Sequence, residues 1–242
     1  MNSNSGRPFS ELSLLALRGW ILLRAAAIVV LLAFANVNVS PAQAAPADSG
    51  THVFLVRGVL NIFSLGLDQM AARLQQQGIT ATVHNHMVWA SIADEAAAEY
   101  KSGRVKNIIL VGHSSGATCL PDIVARLNQQ GVPVKLAIGL DSVFRTRLAG
   151  RVGRYINFYV ASGSGTRVEQ GNDFHGKLEN VDVERVPGVS HLTIDKNQLM
   201  QQKVIAEIDA AARSGPVQAK SRPPAAHETA REPSAKHASV TN

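Results

Sequence analysis

The 242-residue chain has one cysteine, Cys119, so no intramolecular disulfide can form and packing alone must hold the fold. Aromatic residues make up only 5% of it, yet with 45% hydrophobic residues the chain can bury one sizeable core, and a single domain is expected. No His, Cys or Asp cluster has the spacing of a metal site, and no glycine-rich phosphate loop opens a helix, so neither a metal nor an organic cofactor is expected. No internal repeat is visible. No uninterrupted apolar run reaches the roughly 20 residues that span a bilayer.

The formal charge of +6 suggests a nucleic-acid or membrane partner until it is divided along the chain. Three Arg and one Glu give residues 1–44 a charge of +2; five Lys/Arg and two Glu give residues 213–242 a charge of +3. Only +1 remains for residues 45–212, so no nucleic-acid partner is expected of the folded part.

Residues 1–44 read as a signal peptide. Arg7, Arg18 and Arg24 precede an apolar run from Ala25 to Ala35, and small residues at Ala42 and Ala44 allow cleavage before Ala45. An exported protein, periplasmic or secreted, is expected. The alternative is an uncleaved membrane anchor, because Trp20 to Leu23 extend the apolar segment beyond Arg24. At the other end, residues 213–242 form a basic Pro/Ala-rich tail that includes Arg222-Pro223-Pro224-Ala225-Ala226. Its few large apolar side chains cannot offset the entropy of ordering it, so a disordered tail is expected.

Between these ends, residues 45–212 alternate short β-rich runs with amphipathic helical patterns, which predicts an α/β fold with a mostly parallel sheet and helices on both faces. Strands are expected at Val53–Val56, Ile79–Val83, Asn107–Val111, Val134–Leu140, Tyr155–Ala161 and Val181–Val186, six in all with about five helices. Leu67, Met70, Ala71 and Leu74 mark one helix, with Ser64 as its cap and Gly78 as its stop; Ile92, Ala96 and Tyr100 mark a second. Leu120, Ile123, Val124 and Leu127 mark a third, and Met200, Val204, Ile205 and Ile208 the last. Cys119, beside Leu120, is expected in the core.

The strand Asn107–Val111 runs directly into Gly112-His113-Ser114-Ser115-Gly116. A serine hydroxyl is a poor nucleophile at neutral pH and needs a base beside it and donors for the oxyanion it creates. Gly-x-Ser-x-Gly between a strand and a helix can supply the geometry: the glycines permit a tight turn, Ser114 is thrust outward, and the Ser115 N–H opens the helix toward the developing charge. An ordinary small-residue turn is the competing reading.

His191 follows the last expected strand in Val186-Pro187-Gly188-Val189-Ser190-His191, where its loop can return to Ser114. His84 and His86 precede the nucleophile, His113 lies inside the turn, His175 precedes the final strand, and His227 and His237 fall in the tail. Asp141, at the end of the strand after the nucleophile's, can orient the imidazole; a helix N-cap is its bland alternative. Asp173 is the rival acid and Glu169 a weaker one. The second oxyanion donor is expected from the loop after the first strand, with the Val59 N–H first and Leu60 second.

This nucleophile turn, followed in chain order by Asp141 and then His191, resembles the α/β-hydrolase superfamily over about Thr51 to Ala212. An acid directly after the next strand looks like its thioesterase-like and lipase-like branches, which implies ester or thioester hydrolysis or acyl transfer. Two departures stand out: only some dozen residues separate Asp141 from the next strand, leaving no room for a helical lid, and the usual first two antiparallel strands are absent. A compact, lidless site open to bulky or polymeric esters is therefore expected, and a small-molecule or lipid ester as its partner. Export disfavours coenzyme A thioesters, which are cytosolic. The competing function is a catalytically silent domain that uses the same cleft to bind an acyl ligand or a protein.

Overall fold

A computed structural model describes residues 50–59 and 62–215. The signal segment, Leu60 and residues 216–242 of the tail lie outside the described residues. Among the described residues eight strands are formed: β1 (Thr51–Arg57), β2 (Thr80–Asn85), β3 (Asn107–His113), β4 (Val134–Leu140), β5 (Thr146–Leu148), β6 (Arg151–Tyr159), β7 (Val168–Gln170) and β8 (His175–Asp182). The helices are α1 (Gly66–Gln76), α2 (Trp89–Lys101), α3 (Ser115–Thr118), α4 (Leu120–Gln129) and α5 (Gln198–Arg213). Among the described residues no helix is long and apolar enough to cross a membrane.

Six strands build one sheet in the order β2-β1-β3-β4-β6-β8, every neighbouring pair parallel. Side chains alternate across it. Val53, Leu55, Ile109 and Val111 face α1 and α5, packing on Leu67, Met70, Leu74, Val204 and Ile208. Phe54, Val56, Ile108 and Leu110 face the other way, onto Ile92 and Ala96 of α2 and Ile123 and Leu127 of α4. A strand covered on both faces must be apolar throughout, and all seven residues of β3 are buried. This is a six-stranded parallel α/β sheet with helices on both faces, and the segment between β4 and β6 holds only the three-residue β5, with no helix over the sheet edge.

Three expectations need correction. The sixth sheet strand is His175–Asp182, not Val181–Val186, so His175 opens it instead of preceding it. This strand lies at the sheet edge with polar residues half-buried or exposed, and the short apolar alternation after it forms a loop. Ser64 does not cap α1: Leu65 holds the cap position without a side-chain bond, and Ser64 is buried elsewhere. Finally, the helix after the nucleophile turn is broken in two at Cys119. Pro121 explains the break, since it has no N–H to donate and its ring crowds the carbonyl four residues back.

Chain order also places the site. From β1 the chain winds outward to β2, then returns to β3 and continues to β4, β6 and β8 on the other side. The crevice outside the carboxyl ends of β1 and β3 is thus a topological switch point, where open parallel sheets leave room for a ligand.

Candidate active site

Ser114 follows the last residue of β3 with φ 58° and ψ −122°, a backbone conformation that L-residues rarely adopt. The surrounding contacts enforce it. A β-carbon on Gly116 would lie 2.0 Å from the Val56 carbonyl oxygen, and one on Gly112 would lie 2.4 Å from the Gly116 oxygen, so both positions must be bare for α3 to seat against β1 and β3. The Ser114 N–H is tied to the Leu140 carbonyl at 2.9 Å, which links the turn to the end of β4.

Asp141, one residue past β4, is fully buried and also has positive φ, at 54°. Its N–H bonds the Phe158 carbonyl at 2.7 Å and its Oδ1 accepts the Val160 N–H at 2.7 Å, so the end of β6 and the residue just past it fix backbone and carboxylate. Oδ2 accepts from His191 Nδ1 at 2.7 Å, and His191 Nε2 lies 3.1 Å from Ser114 Oγ. The three expected residues therefore meet in one continuous chain of hydrogen bonds, although 77 and 50 positions separate His191 from Ser114 and Asp141. With Nδ1–H donated to the carboxylate, Nε2 is left as the acceptor that faces the serine hydroxyl. The His191 side chain is 23% exposed, so reactants can reach it from solvent.

The rival acids lie elsewhere. Asp173 sits exposed in the turn before β8; because β8 runs parallel to β6, that turn is at the amino-terminal edge of the sheet, opposite His191. Glu169, in β7, pairs with Arg145 and Arg147. Asp141 caps no helix, since the short strand β5 is the next element.

The Ser115 N–H is the first of α3 and lies ahead of the intrahelical ladder, free of an i−4 acceptor. That helix is a single turn, so what it offers is the Ser115 N–H itself and not a long helix dipole, a correction to the expectation. In the loop after β1, the Gly58 N–H is already given to Ser64 Oγ at 3.1 Å, which leaves the neighbouring Val59 N–H as the candidate second donor.

Two features escape sequence reasoning. One is a buried network in which Ser64 Oγ lies 2.8 Å from His113 Nδ1 and His113 Nε2 lies 2.9 Å from the His191 carbonyl oxygen. Its only sequence signal is a histidine beside the nucleophile. The other is Asp195, fully buried, whose Oδ2 accepts the first N–H of α1, that of Gly66, at 2.8 Å. Burial raises the Asp195 carboxyl above the ordinary carboxylate value, and burial depresses His113 below the ordinary imidazole value.

Among the described residues no group of three or more His, Cys, Asp or Glu side chains is arranged to hold a metal ion. Hollows of about 360 and 340 Å³ lie beside α5, one lined by Lys135, Arg154 and Glu207 and the other by Gln77, Ile79 and Asp209, away from the triad.

The sequence matches no protein-family model and no curated protein. Among solved structures, the chain is similar to the thioesterase domain SrfTE, described for cyclization of the lipopeptide antibiotic surfactin: TM-score 0.43 and 10% identity, over 68% of this chain and 91% of that one. At 10% identity such a likeness speaks to neither activity nor substrate.

Proposed function

We propose that this chain is an exported serine hydrolase that cleaves carboxylic esters or thioesters through an acyl-enzyme on Ser114. One observation carries the reading: the unbroken sequence Ser114 Oγ, His191 Nε2, His191 Nδ1, Asp141 Oδ2, with spacings of 3.1 and 2.7 Å and a fully buried carboxylate at its end. A strained serine in hydrogen-bond reach of an imidazole that is itself oriented by a carboxylate is the arrangement that activates a hydroxyl.

In this reading the Ser114 proton passes to His191 Nε2 as Oγ bonds to the substrate carbonyl carbon. The carbonyl oxygen, now an anion, is held by the N–H groups of Ser115 and Val59. The imidazolium, stabilised by Asp141, returns its proton to the departing alcohol or thiol as the carbon–oxygen or carbon–sulfur bond breaks. Water then enters and gives a proton to His191 Nε2 as its oxygen bonds to the acyl carbon; the acyl carbon–Oγ bond breaks, that proton returns to Ser114 Oγ, and the acid is released.

The rim of the site suggests what is cleaved. The exposed large apolar side chains of the described residues all lie in loops beyond the carboxyl ends of the sheet strands or where the next helix begins. Met87, 79% exposed after β2, Phe144, 67% exposed after β4, Val59 after β1 and Leu192 beside His191 are the most telling. Apolar side chains confined to the edge that carries a nucleophile favour an ester with an apolar acyl part. The segment before Ala45 adds export, with cleavage there expected from its small residues.

A fluorophosphonate probe tests the reading. Covalent labelling of the purified mature protein is expected, abolished in Ser114→Ala and strongly slowed in His191→Ala. Labelling that persists in Ser114→Ala refutes the nucleophile; a wild-type protein that stays unlabelled favours a silent acyl-binding domain.

A further inference from the structure

We propose that His113, the residue immediately before Ser114, is a positioning residue that locks the base loop and the oxyanion loop to the nucleophile turn. The inference rests on the reading of Ser114 and His191 given above and concerns how their geometry is held.

His113 ends β3 and is 1% exposed. Both ring nitrogens are engaged, Nε2 with the His191 carbonyl at 2.9 Å and Nδ1 with Ser64 Oγ at 2.8 Å. A carbonyl oxygen only accepts, so Nε2 must carry a proton; in a neutral ring Nδ1 is then an acceptor and takes the Ser64 hydroxyl proton. Ser64 is fully buried and its oxygen accepts the Gly58 N–H at 3.1 Å. The chain of donors thus runs in one direction, from Gly58 N–H to the Ser64 hydroxyl to His113 Nδ1, and from His113 Nε2–H to the His191 carbonyl. It crosses from the loop after β1, through the end of β3, to the loop after β8.

Each contact has a consequence for catalysis. By consuming the Gly58 N–H, Ser64 leaves the next amide, that of Val59, for the oxyanion. By holding the His191 carbonyl, His113 fixes the backbone of a residue whose ring is fixed separately by Asp141. The rest of that loop is held mainly from within: Ser190 and Leu192 are exposed, the Thr193 side chain ties to Gly188 and Ser190, and its carbonyl accepts the Lys196 and Asn197 N–H groups, while Val186 and Val189 pack partly buried against the core. The buried anchors further along are Ile194, in the core, and Asp195, on Gly66.

The charge state fits the task. The two imidazole rings are 5.3 Å apart, so a protonated His113 would repel the imidazolium that His191 must become. The groups facing His113 are Asp195, His191 and Asp141, and burial outweighs the two carboxylates to keep the ring neutral. A neutral donor therefore holds the base in place without opposing its protonation.

Amide variants separate the two bonds. Gln at position 113 extends an N–H₂ to about the reach of Nε2, whereas Asn offers an oxygen near Nδ1 and falls short of the His191 carbonyl. The readouts are the downfield Nδ1 proton of His191 in nitrogen-15-labelled protein and kcat and KM on a p-nitrophenyl ester. His113→Gln is expected to keep the proton signal and lose under about tenfold in kcat, while His113→Asn broadens the signal and loses about 10²-fold, the cost of a misplacement near 1 Å. In both, KM should stay within about twofold, since no substrate contact is removed. If His113→Asn is too unstable to study, Ser64→Ala cuts the same chain one link earlier and should lower kcat about tenfold. A sharp His191 signal and wild-type kcat in His113→Asn, or in Ser64→Ala where that is the variant studied, overturn the proposal. Because the proton signal does not need turnover, its loss in His113→Asn upholds the positioning role even if wild-type protein proves inactive, an outcome that would sink only the hydrolase reading.

Discussion

Asp141→Asn probes the triad where it is most enclosed. The carboxylate has no exposure, and each oxygen has one partner: Oδ1 the Val160 N–H, Oδ2 the His191 Nδ1–H. An amide can keep the first bond through its oxygen, so the packing against β6 survives. Its NH₂ must then face His191, which can be accommodated only if Nδ1 gives up its proton and becomes an acceptor. The imidazole proton moves to Nε2, the atom 3.1 Å from Ser114 Oγ, and the base is turned into a donor pointing at the nucleophile. The loss of kcat should reach about 10⁴-fold, equivalent to about 5.5 kcal/mol of transition-state stabilisation. Initial rates of p-nitrophenyl ester hydrolysis measure it, with Asp173→Asn as the control expected to stay within about twofold because that residue is exposed at the opposite sheet edge. An Asp141→Asn protein that keeps a tenth of wild-type kcat, or an Asp173→Asn protein that falls by orders of magnitude, would refute the assignment.

Three further outcomes are expected. Burial pushes the Cys119 thiol up to about 12, so at pH 8 only about 10⁻⁴ of it is thiolate; native protein should resist a disulfide reagent and react with one equivalent only after denaturation. Burial holds His113 below its ordinary value of 6.5, so the unfolded chain takes up this proton at higher pH than the folded one does. The associated stabilisation is fully present above about pH 6.5 and is eroded as pH falls toward the depressed value, by about 1.4 kcal/mol per unit of depression. Urea midpoints should therefore drop more between pH 8 and pH 5.5 in wild type than in His113→Gln. If the apolar rim receives the acyl chain, replacing Phe144 and Met87 together by Ser should raise KM for a long-chain ester about tenfold, with a smaller effect on acetate; an equal effect on both would count against that role.

The strand-to-helix turn at Gly112–Gly116 is legible because three independent signals coincide there: continuous apolarity in β3, glycines flanking a serine, and a helical repeat at Leu120, Ile123, Val124 and Leu127. Asp141 and His191 followed from their positions beyond strand ends, since a parallel sheet brings all carboxyl ends to one edge. Strand β8 is not legible in the sequence, because an edge strand with polar, solvent-facing residues lacks the apolar signal that marks buried ones. The three-residue pair β5 and β7 is too short to carry any periodicity. The Ser64–His113–His191 network was illegible for another reason: its bonds span 49 and 78 positions, and which histidine is buried between which loops is decided by tertiary packing.

The central claim is that Ser114 becomes acylated, and rapid quenching during turnover of a p-nitrophenyl ester followed by mass spectrometry of the digested protein tests it directly. One acyl group is expected on the peptide containing Ser114, formed within the burst of p-nitrophenol release and absent from His191→Ala on the same timescale. Turnover with no acyl group on that peptide, or an acyl group carried by a different residue, would contradict it.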